Sequence, residues 1–122
     1  MAKVDKKALG SLGEAEALRY LKGEGYCILQ KNYACKHGEA DIVCQDVSGV
    51  LVFAEVKTRK TLNFGSPSEA VGKSKQSKLV KTAMEYIKTY TTHLPEIRFD
   101  VIGVTMGLDI DINHIKSAFI VD

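Results

Sequence analysis

Asp41 and Glu55 are the residues best placed to do chemistry, because each is a carboxylate set in an otherwise apolar run. The first run is Gly38-Glu39-Ala40-Asp41-Ile42-Val43; the second is Leu51-Val52-Phe53-Ala54-Glu55-Val56-Lys57-Thr58-Arg59. Asp46-Val47-Ser48-Gly49 lies between them and is a hairpin signal. With Asp46 facing Val50, antiparallel register sets Asp41 opposite Glu55 and Glu39 opposite Lys57. Alternation then projects these four from one face at one end of the hairpin, and leaves Ala40, Ile42, Cys44, Val52, Ala54 and Val56 on the other. Opposed carboxylates have β-carbons about 5 Å apart and destabilise one another. Compensation must come from a raised pKa, a nearby cation or a bound metal. A hard divalent ion, Mg²⁺ or Mn²⁺, suits one or two carboxylates plus a substrate phosphate. Lys57 could then hold or activate the attacking water, or stabilise charge on the phosphate, the layout of metal-assisted phosphodiester hydrolysis. The alternative is a solvated ion-pair ladder, worth only ~0–1 kcal/mol per pair. Against it stand Ile42, Val43, Leu51, Val52, Phe53 and Val56, which make the hairpin apolar on both faces with a polar end.

These residues need a scaffold, and the 122-residue chain has the length for one domain, read over residues 1–122. Its 45% hydrophobic and 26% charged content excludes a disordered or collagen-like chain, and a net charge of +2 argues for no partner by itself. From Lys6 to Lys22, Leu9, Leu12, Ala15, Leu18 and Leu21 recur at helical spacing, and Gly23 and Gly25 end the helix. Strands are expected over Tyr26–Tyr33, Glu39–Gln45 and Val50–Thr58, with a turn at His37-Gly38. Ser66-Pro67-Ser68-Glu69 reads as a capping box opening a helix that runs to about Tyr90, with Gly72 able to break its first turn. Its apolar stripe is Leu79, Val80, Ala83, Met84 and Ile87. Two last strands are expected at Arg98–Met106 and His114–Val121, around a polar turn at Asp109–Asn113. The order α-β-β-β-α-β-β predicts an α/β domain with mixed strand directions.

Glu14 falls at helical spacing with Leu18 and Leu21, on the side that faces the core, where an unpaired carboxylate is costly without a metal or a cation beside it. Glu39 either adjusts a metal site or pairs with Lys57. Between Lys57 and Lys81 the basic residues are Lys57, Arg59, Lys60, Lys73, Lys75, Lys78 and Lys81, against Glu69 alone. That excess suits a phosphate backbone, with Arg59, Lys75 and Lys78 as the nucleic-acid contacts and a solvated helix face as the alternative. Asp109-Ile110-Asp111-Ile112-Asn113 is not a calcium loop, since His114 stands at the sixth position and Ile120 at the twelfth. Cys27, Cys35 and Cys44 match no zinc or disulfide spacing and read as free thiols in a reducing cytoplasm. No apolar run is long enough to cross a bilayer.

Asp41 followed by Glu55-Val56-Lys57 resembles the D…(D/E)-x-K signature of restriction-endonuclease-like nucleases. The wider set resembles the YraN-like family, small bacterial proteins related to archaeal Holliday junction resolvases: Gly13-Glu14, Gly38 to Val43, Val52 to Arg59, and Arg98-Phe99-Asp100-Val101-Ile102. The resemblance spans about Gly10 to Val104, with Ala40 where many nucleases carry proline. It implies a restriction-endonuclease-like α/β fold, a central mixed sheet flanked by helices. It also implies Asp41 and Glu55 as metal ligands with the main-chain carbonyl of Val56, Lys57 as the catalytic lysine, and Glu14 as a helix-borne acid. Mg²⁺ or Mn²⁺, a structured DNA substrate and a homodimer follow from the same resemblance. A DNA-binding module that keeps the acids without cutting is the second reading. A protein-interaction domain built on the same sheet is the third.

Overall fold

A computed structural model describes residues 6–60 and 71–119. Helix α1 (Lys6–Gly23) leads into three strands, β1 (Cys27–Cys35), β2 (Gly38–Gln45) and β3 (Leu51–Arg59). Helix α2 (Lys73–Tyr90) then connects to β4 (Ile97–Met106) and β5 (Ile110–Ile115). The strands form one sheet in the order β1-β2-β3-β4-β5. All neighbours are antiparallel except β3 and β4, which run parallel because the α2 segment carries the chain back between them. The result is the α/β mixed sheet flanked by helices that the resemblance implies.

β3 is the central strand, and its sequence explains why. Leu51, Val52, Phe53 and Ala54 are all buried, as a strand covered on both faces requires. On one face, Ile42, Cys44, Val52, Ala54, Ile102 and Val104 pack with Ala17 and Leu21 of α1. On the other, Val43, Leu51, Phe53 and Phe99 pack with Leu79, Ala83, Tyr86 and Ile87 of α2.

The β2–β3 turn has the expected form. The Asp46 N–H donates to the Val50 carbonyl at 3.0 Å, and the Asp46 carboxylate accepts from the Ser48 and Val50 N–H groups at 2.9 and 3.0 Å. Ile42 therefore pairs with Ala54, and Gln45 with Leu51. Continued, this register puts Asp41 against Glu55, as predicted. The last ladder pair is Ile42 with Ala54, and Val56 then turns to the Asp41 carboxylate, so the predicted facing of Glu39 and Lys57 does not form.

Four expectations change. The buried stripe of α1 is Gly13, Ala17 and Leu21, and Leu12 is exposed. The helix lies so close to β3 that a β-carbon on Gly13 would collide with the Thr58 side chain, which requires a glycine at that point of the stripe. Ala40 belongs to the core under α2 and not with Ile42 under α1. On α2, Thr82 and Tyr86 are buried while Met84 faces outward. Of the expected strand His114–Val121, residues 116–119 are not strand and 120–121 lie outside the described residues; among the described residues the last strand is Ile110–Ile115. It is an edge strand whose Asp111 and Asn113 face solvent while Ile112 packs on the α1 side, so the polar residues that suggested a turn are one side of an alternation. The turn itself is at residues 107–109. The capping box at Ser66–Glu69 lies outside the described residues; α2 starts after Gly72, which makes no side-chain cap. Among the described residues, no helix is long and apolar enough to cross a membrane.

Candidate active site

Where β2 and β3 part company, Asp41 takes over the hydrogen bonding. Its Oδ2 accepts the Val56 N–H at 2.8 Å, so a carboxylate replaces the next ladder bond at the point where the two strands separate. A cleft of about 430 Å³ opens there, lined by Glu14, Asp41, Glu55, Val56 and Lys57 with the start of α1. The residues that the signature implied are thus brought to one cavity by three elements. β2 supplies Asp41, β3 supplies Glu55, Val56 and Lys57, and α1 supplies Glu14. Glu14 is half-buried, one position off the buried stripe, and the bare surface of Gly13 lets α1 approach closely enough to deliver it.

Glu55 is 7% exposed, and two ammonium groups share its Oε1. Lys75 Nζ, from the first turns of α2, lies 2.5 Å away, and Lys57 Nζ lies 3.7 Å away. Lys75 therefore sits at the carboxylates, a position its place in a basic helix did not reveal. Lys78 lines the adjoining groove with Glu39, Glu55 and Lys75. Arg59 ends β3 beside Thr105 of β4, outside both cavities.

The electrostatics are those of crowded acids. Burial, then the neighbouring Glu55, pushes the Asp41 carboxyl up to about 7, against the opposing pull of the Val56 N–H. Burial and the nearby Glu39 and Glu55 also raise Glu14, with Asn32 hydrogen bonding in the other direction. Burial and the adjacent Lys75 ammonium lower Lys57, while the pairing of Lys75 with Glu55 outweighs burial and raises Lys75. The site thus divides two lysines into one that releases its proton more readily and one that holds it.

A raised Asp41 favours the protonated folded state, so its stabilising contribution is complete below the ordinary carboxylate value of 3.8 and is lost as pH rises through about 7. Asp41→Asn is isosteric and can still accept the Val56 N–H. Its stability gain over the wild type should grow from near zero at pH 4 to about 1–3 kcal/mol above pH 7. Urea unfolding of both proteins at four pH values measures this; a gain independent of pH would refute it.

A hard divalent cation answers the same crowding. Among the described residues, no three His, Cys, Asp or Glu side chains close on one point. The available donors are a pair of carboxylates where β2 and β3 separate, the number magnesium uses when phosphate and water complete its shell. The two lysines on Glu55 supply positive charge where such an ion would supply more.

On the α1 side of the sheet, near the start of β4, lies a second polar cluster. Asp100 is 0% exposed and accepts from Arg98 Nε at 2.8 Å, Arg98 Nη2 at 2.9 Å and the Ser117 N–H at 3.1 Å. His114 Nε2 lies 2.7 Å from Asp100 Oδ2, and its Nδ1 lies 2.9 Å from the Tyr20 hydroxyl. Arg98 also donates to Asp46 at 3.0 Å and to the Tyr26 hydroxyl at 2.8 Å. The cluster ties α1, the β2–β3 turn, β4 and β5 together, and it lines neither cavity of the site. Arg98 and Asp100 of the quoted motif are therefore structural partners here.

Sequence reasoning did not single out Asn32. Register places it across from Asp41, its backbone is left-handed, and its side chain pulls the Glu14 pKa down against burial. An asparagine in a strand-like run gives no periodic signal of any of this.

Comparison with known proteins agrees with the motif reading of the whole chain. A UPF0102 protein of Caldanaerobacter subterraneus subsp. tengcongensis is 46% identical over 98% of this chain and 100% of its own length. A UPF0102 protein of Desulforamulus reducens is 44% identical over 94% of this chain and 98% of its own. Among solved structures, a complex of EndoMS with double-stranded DNA matches with a TM-score of 0.43 and 18% identity, covering 81% of this chain and 38% of that one. The family model described as "Uncharacterised protein family UPF0102" matches residues 13–104, the stretch that runs from Gly13-Glu14 of α1 through the Asp41, Glu55 and Lys57 site into β4. The chain that builds this cleft belongs to the UPF0102 family, the YraN-like family that its motifs resemble.

Proposed function

We propose that this protein is a metal-dependent endonuclease that hydrolyses phosphodiester bonds in structured DNA, in the manner of Holliday junction resolvases. The observation that carries the reading is the single cleft in which Asp41, Glu55, Val56, Lys57 and Glu14 meet. Asp41, Glu55 and the Val56 carbonyl would hold Mg²⁺ or Mn²⁺. Bound there, the ion supplies Lewis-acid polarisation of the scissile phosphate. Lys57, its proton affinity lowered by burial and by Lys75, orients the attacking water and accepts its proton. Glu14 closes the α1 side of the cleft and keeps the acids' charge directed inward. Lys75, Lys78 and Arg59 hold the phosphates flanking the cut, the charge-based contact that any nucleic-acid backbone offers. Two cuts across a branched DNA call for two sites, so the working unit is a homodimer, acting in the cytoplasm.

The test is cleavage of labelled four-way-junction, flap and duplex DNA with Mg²⁺ or Mn²⁺. Cleavage of a branched substrate, abolished by EDTA and restored by added metal, is expected. A non-catalytic DNA-binding module is the second reading, and the Lys75–Glu55 pair favours it, since two lysines already neutralise that acid without a metal. No cleavage of any substrate, with DNA affinity unchanged by EDTA, would replace the first reading by the second.

A further inference from the structure

β1 leaves regular geometry at Asn32. Its φ of 51° is left-handed, a conformation that non-glycine residues seldom take and that asparagine tolerates better than most. Lys31 pairs with Ile42 and Tyr33 with Ala40, so the position between sets Asn32 across from Asp41. Neither of the two belongs to a ladder pair. The faces of the sheet change at the same point. Tyr33 and Ala40 join the core under α2, whereas Ile42 joins the core under α1. Residues two apart in a regular strand share a face, so β2 turns over at Asp41 itself. On the side-chain end, Asn32 acts on Glu14, its amide drawing the Glu14 pKa down against burial. One residue thus faces one acid through its backbone and acts on a second through its side chain.

We propose that Asn32 is a positioning residue of the candidate site, its left-handed backbone turning Asp41 out of the ladder and its side-chain amide fixing Glu14 on the rim of the cleft. An amide suits this task better than a lysine. It orients a carboxylate without neutralising it, and an ionised carboxylate keeps lone pairs for other partners. The effect on metal affinity rests on the nuclease reading; the hold on Asp41 and Glu14 does not.

Three variants separate the two roles. Asn32→Gly keeps the left-handed backbone and removes the amide. Asn32→Asp keeps the shape and sets a carboxylate against Glu14. Asn32→Val loses both. The Asn32 side-chain amide signals in a ¹⁵N–¹H spectrum should shift and exchange faster in Glu14→Ala. Calorimetric Mn²⁺ affinity should fall about 10-fold or more in Asn32→Gly and Asn32→Asp, as for groups that orient metal ligands. The urea midpoint of Asn32→Gly should stay near that of the wild type, while Asn32→Val should lower both quantities. Amide signals indifferent to Glu14→Ala, or wild-type Mn²⁺ affinity in Asn32→Gly, would overturn the proposal. A wild type that binds no Mn²⁺ but shows the linked amide would sink the metal reading and uphold the hold on Glu14.

Discussion

Lys57→Ala is expected to lower the single-turnover cleavage rate by roughly 10²–10⁴-fold, the range for loss of a positioned acid–base group. The reason is geometric before it is electrostatic, because Lys57 lines the cleft with both carboxylates. Its proton affinity is lowered by burial and then by the Lys75 ammonium, so more of it is in the neutral, base-competent form than an exposed lysine would be. Lys75→Ala separates these effects. Removing the second ammonium lets Lys57 hold its proton more tightly, so the rising limb of the pH–rate profile should move to higher pH. Lys57→Ala should remove that limb altogether. Rates measured between pH 6 and 10 for the wild type and both variants decide the matter. Full activity in Lys57→Ala, or a profile unmoved by Lys75→Ala, would remove the base role from Lys57.

The second large effect is on folding. Asp100→Ala should cost about 3–5 kcal/mol, the range for stranding the partners of a buried ion pair. Arg98 and His114 both turn their polar groups onto that one buried carboxylate, and His114, its side chain only 4% exposed, has little room to rehydrate. Burial alone would raise the Asp100 pKa, yet the His114 hydrogen bond and Arg98 together hold it below the ordinary carboxylate value. The sign follows from that direction. The stabilisation is present above the unfolded carboxylate's pKa and is lost as pH falls through the lower folded value. Urea unfolding at pH 7 reads the cost. A loss below about 1 kcal/mol would show the network to be energetically idle.

How much of this is legible in the sequence depends on which forces leave a periodic trace. The Asp41–Glu55 register is readable because the turn is short and Asp46 caps it, so alternation fixes the positions from the turn as far as Asp41, where β2 changes face. The α1 stripe is misread because the close approach at Thr58 buries Gly13 and Ala17, residues that a hydrophobic pattern underweights. β5 is misread because an edge strand exposes one side, and its solvent-facing Asp111 and Asn113 look like a turn. Lys75 is found as a basic residue, but its ion pair with Glu55 depends on where α2 crosses the sheet, which nothing local specifies. Asn32 leaves no trace at all, since a single left-handed residue interrupts a strand without altering its composition.

The parallel pairing of β3 with β4 has a consequence for the order in which the chain can be made. β3 carries Glu55 and Lys57 and opens with the buried apolar run Leu51 to Ala54, yet its second neighbour lies beyond α2 in sequence. Until that neighbour leaves the ribosome, Leu51 to Ala54 present an open, hydrophobic edge and one uncovered face, a template for pairing with other nascent chains. The same central place that shields the acids in the finished molecule makes their strand the segment most in need of protection during synthesis.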